Sequence, residues 1–354
     1  MYINTHIHIF KDVDIPNRFL PLWLVRVLAS KPGYYFAGKI LNNINPFSDD
    51  DLFNRYLKFV SIGRMGTQKK IFENCSRFYP KDTKFVILPM DMAYMGAGKV
   101  PRKYEDQLAE LGELKLTHPE TIPFIHIDPR RKDFLDLLKK SVEEWGFKGV
   151  KLYPPLGYFP YDERLYPVYE YCVNNDLSVI SHCSPYNPVH FKGSKSDLIK
   201  LLSMSNKPIN TKGKSKKELC SNFTKPQNYE KILNDFKDLN ICLAHFGSEY
   251  YWDKYLNNPG DDENWFVVIK EMMLKYNNLY SDISFTLNNQ EFFPLLKILL
   301  SNDKLKNNIL FGSDYYMVET KTTERRFSID LRAAIGEDNF NRIAVVNPQK
   351  FLKL

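Results

Sequence analysis

The chain has 354 residues, 44% of them hydrophobic, and a formal net charge of +7, enough for one large α/β barrel with insertions or for two domains, each with a full core. No apolar run reaches the ~18 residues of a membrane span, and the N-terminus begins as a charge-poor strand, so a cytoplasmic protein without a membrane partner is expected. Five cysteines without C-x-x-C spacing argue against a disulfide framework, and no nucleic-acid motif surrounds the lysines between 192 and 217, which read as a solvated loop.

The periodicity predicts eight strands, near residues 2–8, 84–91, 122–128, 147–152, 177–182, 240–245, 278–283 and 308–312. The first carries His6 and His8. Residues two apart on a strand share a face, so both imidazoles reach one point where the strand opens to solvent, which is half of a metal site. After the third strand, Phe134, Leu137, Leu138, Val142 and Trp145 form one helical stripe, with Gly146 placed to end it. The fourth strand puts Lys151 near its end, where a purely structural strand would carry another aliphatic residue. A second helix follows, with Leu165, Val168, Tyr169, Cys172 and Val173 on one face. The fifth, sixth and eighth strands end in His182, His245 and Asp314, each a metal-competent side chain closing an apolar run. A third helix, from Trp265 to Tyr276, precedes the seventh strand.

Alternating strands and helices imply a parallel sheet, and eight units imply closure into a (β/α)8 TIM barrel. Such a barrel needs about 250 residues. The surplus falls in two long insertions, about 9–83 after strand 1 and about 186–226 after strand 5. Both leave C-terminal strand ends, the face where barrel enzymes build their sites. They are expected as lid or pocket elements of a single unit, 1–354, and the lysine-rich one as a mobile, polar cover rather than a nucleic-acid arm.

Taken in order, the motifs resemble the amidohydrolase superfamily of metal-dependent barrel enzymes: the H-x-H strand, Ile127-Asp128-Pro129-Arg130, Gly149-Val150-Lys151-Leu152-Tyr153-Pro154, Ile180-Ser181-His182, Leu243-Ala244-His245-Phe246-Gly247, Leu310-Phe311-Gly312-Ser313-Asp314 and Asn347-Pro348-Gln349-Lys350-Phe351-Leu352. Within it they look most like the branch with aminocarboxymuconate-semialdehyde decarboxylase and γ-resorcylate decarboxylase. The resemblance implies that His6, His8, His182 and Asp314 bind a divalent metal, that Asp314 also takes a proton from a metal-activated water, and that His245 is a general acid/base, a polarising group or a ligand of a second ion. It leaves Lys151 open between a carboxylated bridge for two ions, an unmodified active-site lysine and a structural residue. One ion is expected, zinc before manganese, because imidazole with carboxylate suits several metals.

Asn4 departs from the family, which commonly has Asp two residues before the first histidine. That position is a contact behind the site rather than a ligand. Asp91, His126 and Asp282 can face the pocket, cap a helix or fix a loop. Arg64, Arg130 and Arg131 can bind a substrate carboxylate or serve turns and surface pairs. Tyr153 and Tyr158, on the loop above the fourth strand, are expected to line the site. The implied function is hydrolysis of a small-molecule amide or ester, lactones included. The alternatives are non-oxidative decarboxylation of a small carboxylic acid by the same ligands, and a non-catalytic ligand-binding barrel. A homo-oligomer is compatible with all three.

Overall fold

Parallel strands occur wherever the periodicity predicts them. The computed structural model describes residues 1–19 and 58–354; most of the first insertion, 20–57, lies outside the described residues. The strands are β1 (Ile3–Ile7), β2 (Lys84–Ile87), β3 (Thr121–Pro123), β4 (Ile125–His126), β5 (Gly149–Leu152), β6 (Ser178–His182), β7 (Ile241–Ala244), β8 (Leu279–Asp282) and β9 (Ile309–Leu310). They pair in parallel as β1-β2-β3 and β4-β5-β6-β7-β8-β9. Only Phe124 separates β3 from β4, so the two make one stave of eight. The last stave returns to the first: Thr5 N–H donates to Phe311 O at 2.9 Å, Asp314 N–H to His6 O at 2.8 Å and His8 N–H to Tyr315 O at 2.5 Å. The sheet therefore closes into a (β/α)8 barrel, which leaves no exposed edge.

Side-chain alternation sorts the strands into two faces. Phe85, Ile87, Ile125, Val150, Leu152, Val179, Leu243 and Ile309 point outward into the helical layer. Ile3, Val86, Ile122, Phe124, Ile180, Cys242, Tyr280 and Leu310 point inward, and Phe351 and Leu352 join them to close the floor. Above this apolar floor the inward positions turn polar, and all of them are buried: His6, His126, Lys151, His182 and Asp282. The change from aliphatic to ionisable marks the C-terminal mouth.

The expected helices form over Phe134–Glu143, Tyr166–Asn174 and Trp265–Lys275. Gly146 ends the turn after the first at φ +65°, and Trp145 lies so close to Gly112 of the helix Tyr104–Thr117 that a Cβ there would meet its ring at 2.8 Å. The lysine-rich segment differs from the expected polar loop. It holds the helices Lys195–Leu202 and Lys216–Ser221, the second opened by a Ser215/Glu218 capping box. Leu198, Leu202, Leu219 and Phe223 pack with Phe159 and Phe191 as a small core of their own. Apolar residues at helical spacing were hidden among lysines that dominate the composition but face solvent.

Candidate metal centre

Two of the expected ligands come together through an irregularity in β1. The pairing of β1 with β2 slips between Asn4 and Ile7, so Asn4 faces outward while His6 and His8 face the barrel mouth. Asn4 becomes a brace: Nδ2 donates to Ser313 Oγ at 2.8 Å and to the Tyr79 hydroxyl at 3.1 Å, and Oδ1 accepts from Ser313 N–H at 3.1 Å. It thus holds the turn that delivers Asp314, whose own φ is +62°. For a non-glycine residue such a backbone persists only where its surroundings fix it.

Each histidine has one ring nitrogen committed behind it. His8 Nδ1–H donates to Leu88 O at 2.7 Å, and His6 Nδ1–H to Asp282 Oδ2 at 2.8 Å. Their Nε2 lone pairs then converge at 3.3 Å, with Asp314 Oδ1 at 3.4 Å from His8 Nε2 and 3.7 Å from His6 Nε2. Two imidazole lone pairs and a carboxylate oxygen meeting in a buried place are the complement of a cation. The donor set therefore fits a divalent metal. Burial holds the protonated forms down, His6 to about 3 and His8 well below its ordinary value, so both rings are neutral as ligation requires.

The four imidazoles form an arc across the mouth, with ring centres 5.2 Å apart from His8 to His6, 4.9 Å from His6 to His245 and 4.7 Å from His245 to His182. His182 does not converge on the group of His6, His8 and Asp314. Its Nδ1 lies 3.1 Å from His245 Nε2, and its Nε2 contacts Ser184 Oγ and the Asn187 amide. Joining the other three requires it to release His245. His245 in turn donates Nδ1–H to Ser284 O at 3.0 Å and stands at φ +69°.

Asp282, one of several suggestive residues in the sequence, is the hub that orders this arc. Oδ2 takes His6; Oδ1 accepts His245 N–H at 2.9 Å, Ser284 N–H at 3.1 Å and the Ser284 hydroxyl. Burial alone would raise its carboxyl, but His6 and then His245 beside it outweigh burial and hold it well below the usual range. The signal was in the sequence, since β8 ends in a carboxylate just as β6 ends in a histidine. Ser284 and Asn187, on loops, gave none.

Lys151 is fully buried, with Nζ 3.5 Å from His6 Nε2. Burial pushes its ammonium down to about 8 against the pull of Asp282 and Asp314. Burial likewise raises the Asp314 carboxyl well above its usual range, opposed by Lys151. Tyr153 lies against His182, ring centres 4.4 Å apart, so it borders the site. Tyr158 does not offer its hydroxyl there: it is taken up by Tyr153 N–H at 2.7 Å and Ile127 O at 3.0 Å. Arg130 and Arg131 are committed to Asp128 and Asp91 at 2.8 and 2.7 Å, and Arg64 lies 3.7 Å from Asp12, both half-exposed.

The amidohydrolase family model matches residues 95–354, and the chain belongs to that family. His6 and His8 precede the matched span. The fold is similar to that of 5-carboxyvanillate decarboxylase from Novosphingobium aromaticivorans, solved with manganese and 3-methoxy-4-hydroxy-5-nitrobenzoic acid, with a TM-score of 0.60 at 12% identity over 100% of this chain and 97% of that one. It is similar to an amidohydrolase from Burkholderia multivorans with bound zinc, at TM-score 0.55 and 10% identity over 100% and 99%. A third likeness is to 4-oxalomesaconate hydratase from Rhodopseudomonas palustris, at 0.52 and 15% over 100% and 96%. No curated protein matches the sequence significantly. Among the described residues no helix is long and apolar enough to cross a membrane.

Proposed function

We propose that the protein is a metal-dependent hydrolase of a small-molecule amide or ester bond, lactones included. The observation that carries this reading is the convergence of His6 Nε2, His8 Nε2 and Asp314 Oδ1 at the buried barrel mouth. His6, His8 and Asp314 would hold the ion as they stand, and His182 would join them on turning from His245. A divalent cation supplies Lewis acidity there, polarising a carbonyl and acidifying water. The chain's own groups do the rest. Asp314, with Oδ1 toward the histidines, keeps Oδ2 to take a proton from the attacking water and pass it to the leaving group. Lys151, fully buried beside His6, is placed to donate to the developing oxyanion, while His245, whose Nδ1–H goes to Ser284 O, keeps Nε2 as a proton acceptor. Asp282 fixes the His6 tautomer and anchors the backbone of His245.

A second reading keeps the same groups for non-oxidative decarboxylation. The buried Lys151 amine supports it, because it suits a substrate carboxylate. Elemental analysis of protein purified without chelators comes first, and one equivalent of zinc or manganese is expected. The loaded protein is then offered aryl esters, lactones, anilides and carboxylated phenols. Hydrolysis that stops on metal removal supports the proposal; carbon dioxide release alone selects the decarboxylase, and a metal-free protein that binds ligands without turnover refutes both.

A further inference from the structure

His126 is a buried histidine that the proposed chemistry leaves unused. In its stave Ile125 and Ile127 pack outward and Phe124 packs inward, so alternation turns the His126 ring into the barrel. Its tautomer is set by the backbone. Asp91 N–H donates to Nδ1 at 2.8 Å, which makes Nδ1 the lone-pair nitrogen. Burial keeps the imidazolium down to about 3, so the ring is neutral and its single proton sits on Nε2.

That Nε2–H is buried without a partner among the described residues. Leaving such a donor unpaired costs its full desolvation penalty. Its neighbours offer no relief. His126 pairs in register with Lys151, another donor. The Tyr104 hydroxyl is occupied by His126 N–H at 2.8 Å and His126 O at 2.9 Å, while Asp91 and Asp128 are bound by Arg131 and Arg130. Two adjacent inward side chains therefore present N–H groups, and the acids beside His126 are engaged elsewhere.

We infer that His126 is a substrate-binding residue whose Nε2–H, beside Lys151 Nζ, receives a substrate carboxylate. This rests on the barrel mouth being the active site proposed above, and it names acidic small molecules as the substrate class. A histidine that merely served the fold would be indifferent to such ligands.

The test uses the full chain loaded with zinc, and separately with manganese, titrated calorimetrically with benzoate. His126→Phe keeps a ring and removes the N–H; His126→Gln returns an N–H at similar reach. The wild type binds benzoate, His126→Phe binds it about tenfold more weakly or worse, and His126→Gln recovers most of the loss, while metal content stays level. In the wild type the His126 side-chain 15N–1H resonance shifts when benzoate is added. Equal affinity in His126→Phe, or a metal-loaded wild type that ignores benzoate, overturns the inference. Should His126→Phe fail to fold, the resonance decides alone, an unshifted signal counting against it. Failure to take up any metal would instead refute the metal proposal, with the resonance still deciding His126.

Discussion

At Asn4 a single atom separates an amide that donates from a carboxylate that repels. Its Nδ2 lies 3.5 Å from Oε1 of the fully buried Glu324, which also receives the Tyr79 hydroxyl at 2.5 Å. The family's common Asp at this position would set two carboxylates against each other here. Asn4→Asp is expected to lower stability by about 1–3 kcal/mol, and Asn4→Asp combined with Glu324→Gln to regain much of it, as chemical denaturation would report. Burial raises the Glu324 carboxyl to about 7. Its folded value thus lies above the ~4.3 of an unfolded glutamate, so its contribution is fully present below pH ~4.3 and is lost as pH rises through about 7. A gap of that size corresponds to roughly 4 kcal/mol. Glu324→Gln should accordingly gain on the wild type between pH 5 and 8; parallel stability curves would show that Glu324 does not titrate there. At the mouth itself, His6→Ala and His8→Ala should each lose bound metal and activity together, and full activity in metal-free His6→Ala protein would refute the metal mechanism.

The strands were legible because each is an apolar run ending in an out-of-place polar residue, and that contrast survives without any tertiary information. The histidine pair at 6 and 8 was legible for the same reason. The slip in β1 was not, since a bulge is set by pairing with β2 and leaves the composition of β1 unchanged. It turned Asn4 outward, where it braces the site from behind as expected of that position, but through Ser313 and Tyr79, which the composition of β1 does not name. The turn of His182 toward His245 was equally hidden, being decided by loop residues such as Ser184 and Asn187. The lysine-rich insertion misled because charge was read where spacing mattered. Its small core makes a clear test. Leu219, fully buried in it, should cost the insertion about 2–4 kcal/mol when changed to alanine. Limited proteolysis should then cut between 203 and 216 while the barrel keeps its main unfolding transition and substrate affinity changes. Tight, salt-dependent binding of the wild type to generic DNA would contradict the role given to this segment.

On the scale of the whole molecule, the barrel is sealed in two places. Below, Phe351 fills the floor, and its carbonyl accepts the Ser178 hydroxyl and Asn240 Nδ2–H. Phe351→Ala should destabilise the fold by about 3–5 kcal/mol and leave the metal stoichiometry of the remaining folded protein unchanged, measured by elemental analysis after size exclusion. At the side, β1 meets the segment after β9, and the two parts of the proposed metal centre sit on opposite sides of that seam. Metal should therefore act as a clasp, raising stability by about 2.7 kcal/mol at a free concentration a hundred times its dissociation constant, seen as a higher Tm that chelation reverses.

That seam also sets a schedule. His6 and His8 leave the ribosome first, and Asp314 follows some three hundred residues later; at ordinary elongation rates of about 5–20 residues per second, the interval is tens of seconds. On the proposed ligand set, a nascent or prematurely terminated chain carries two imidazoles but lacks the carboxylate that completes the cage, so it would retain metal weakly. Tight metal retention would thus report that the eighth stave has been made and has found the first.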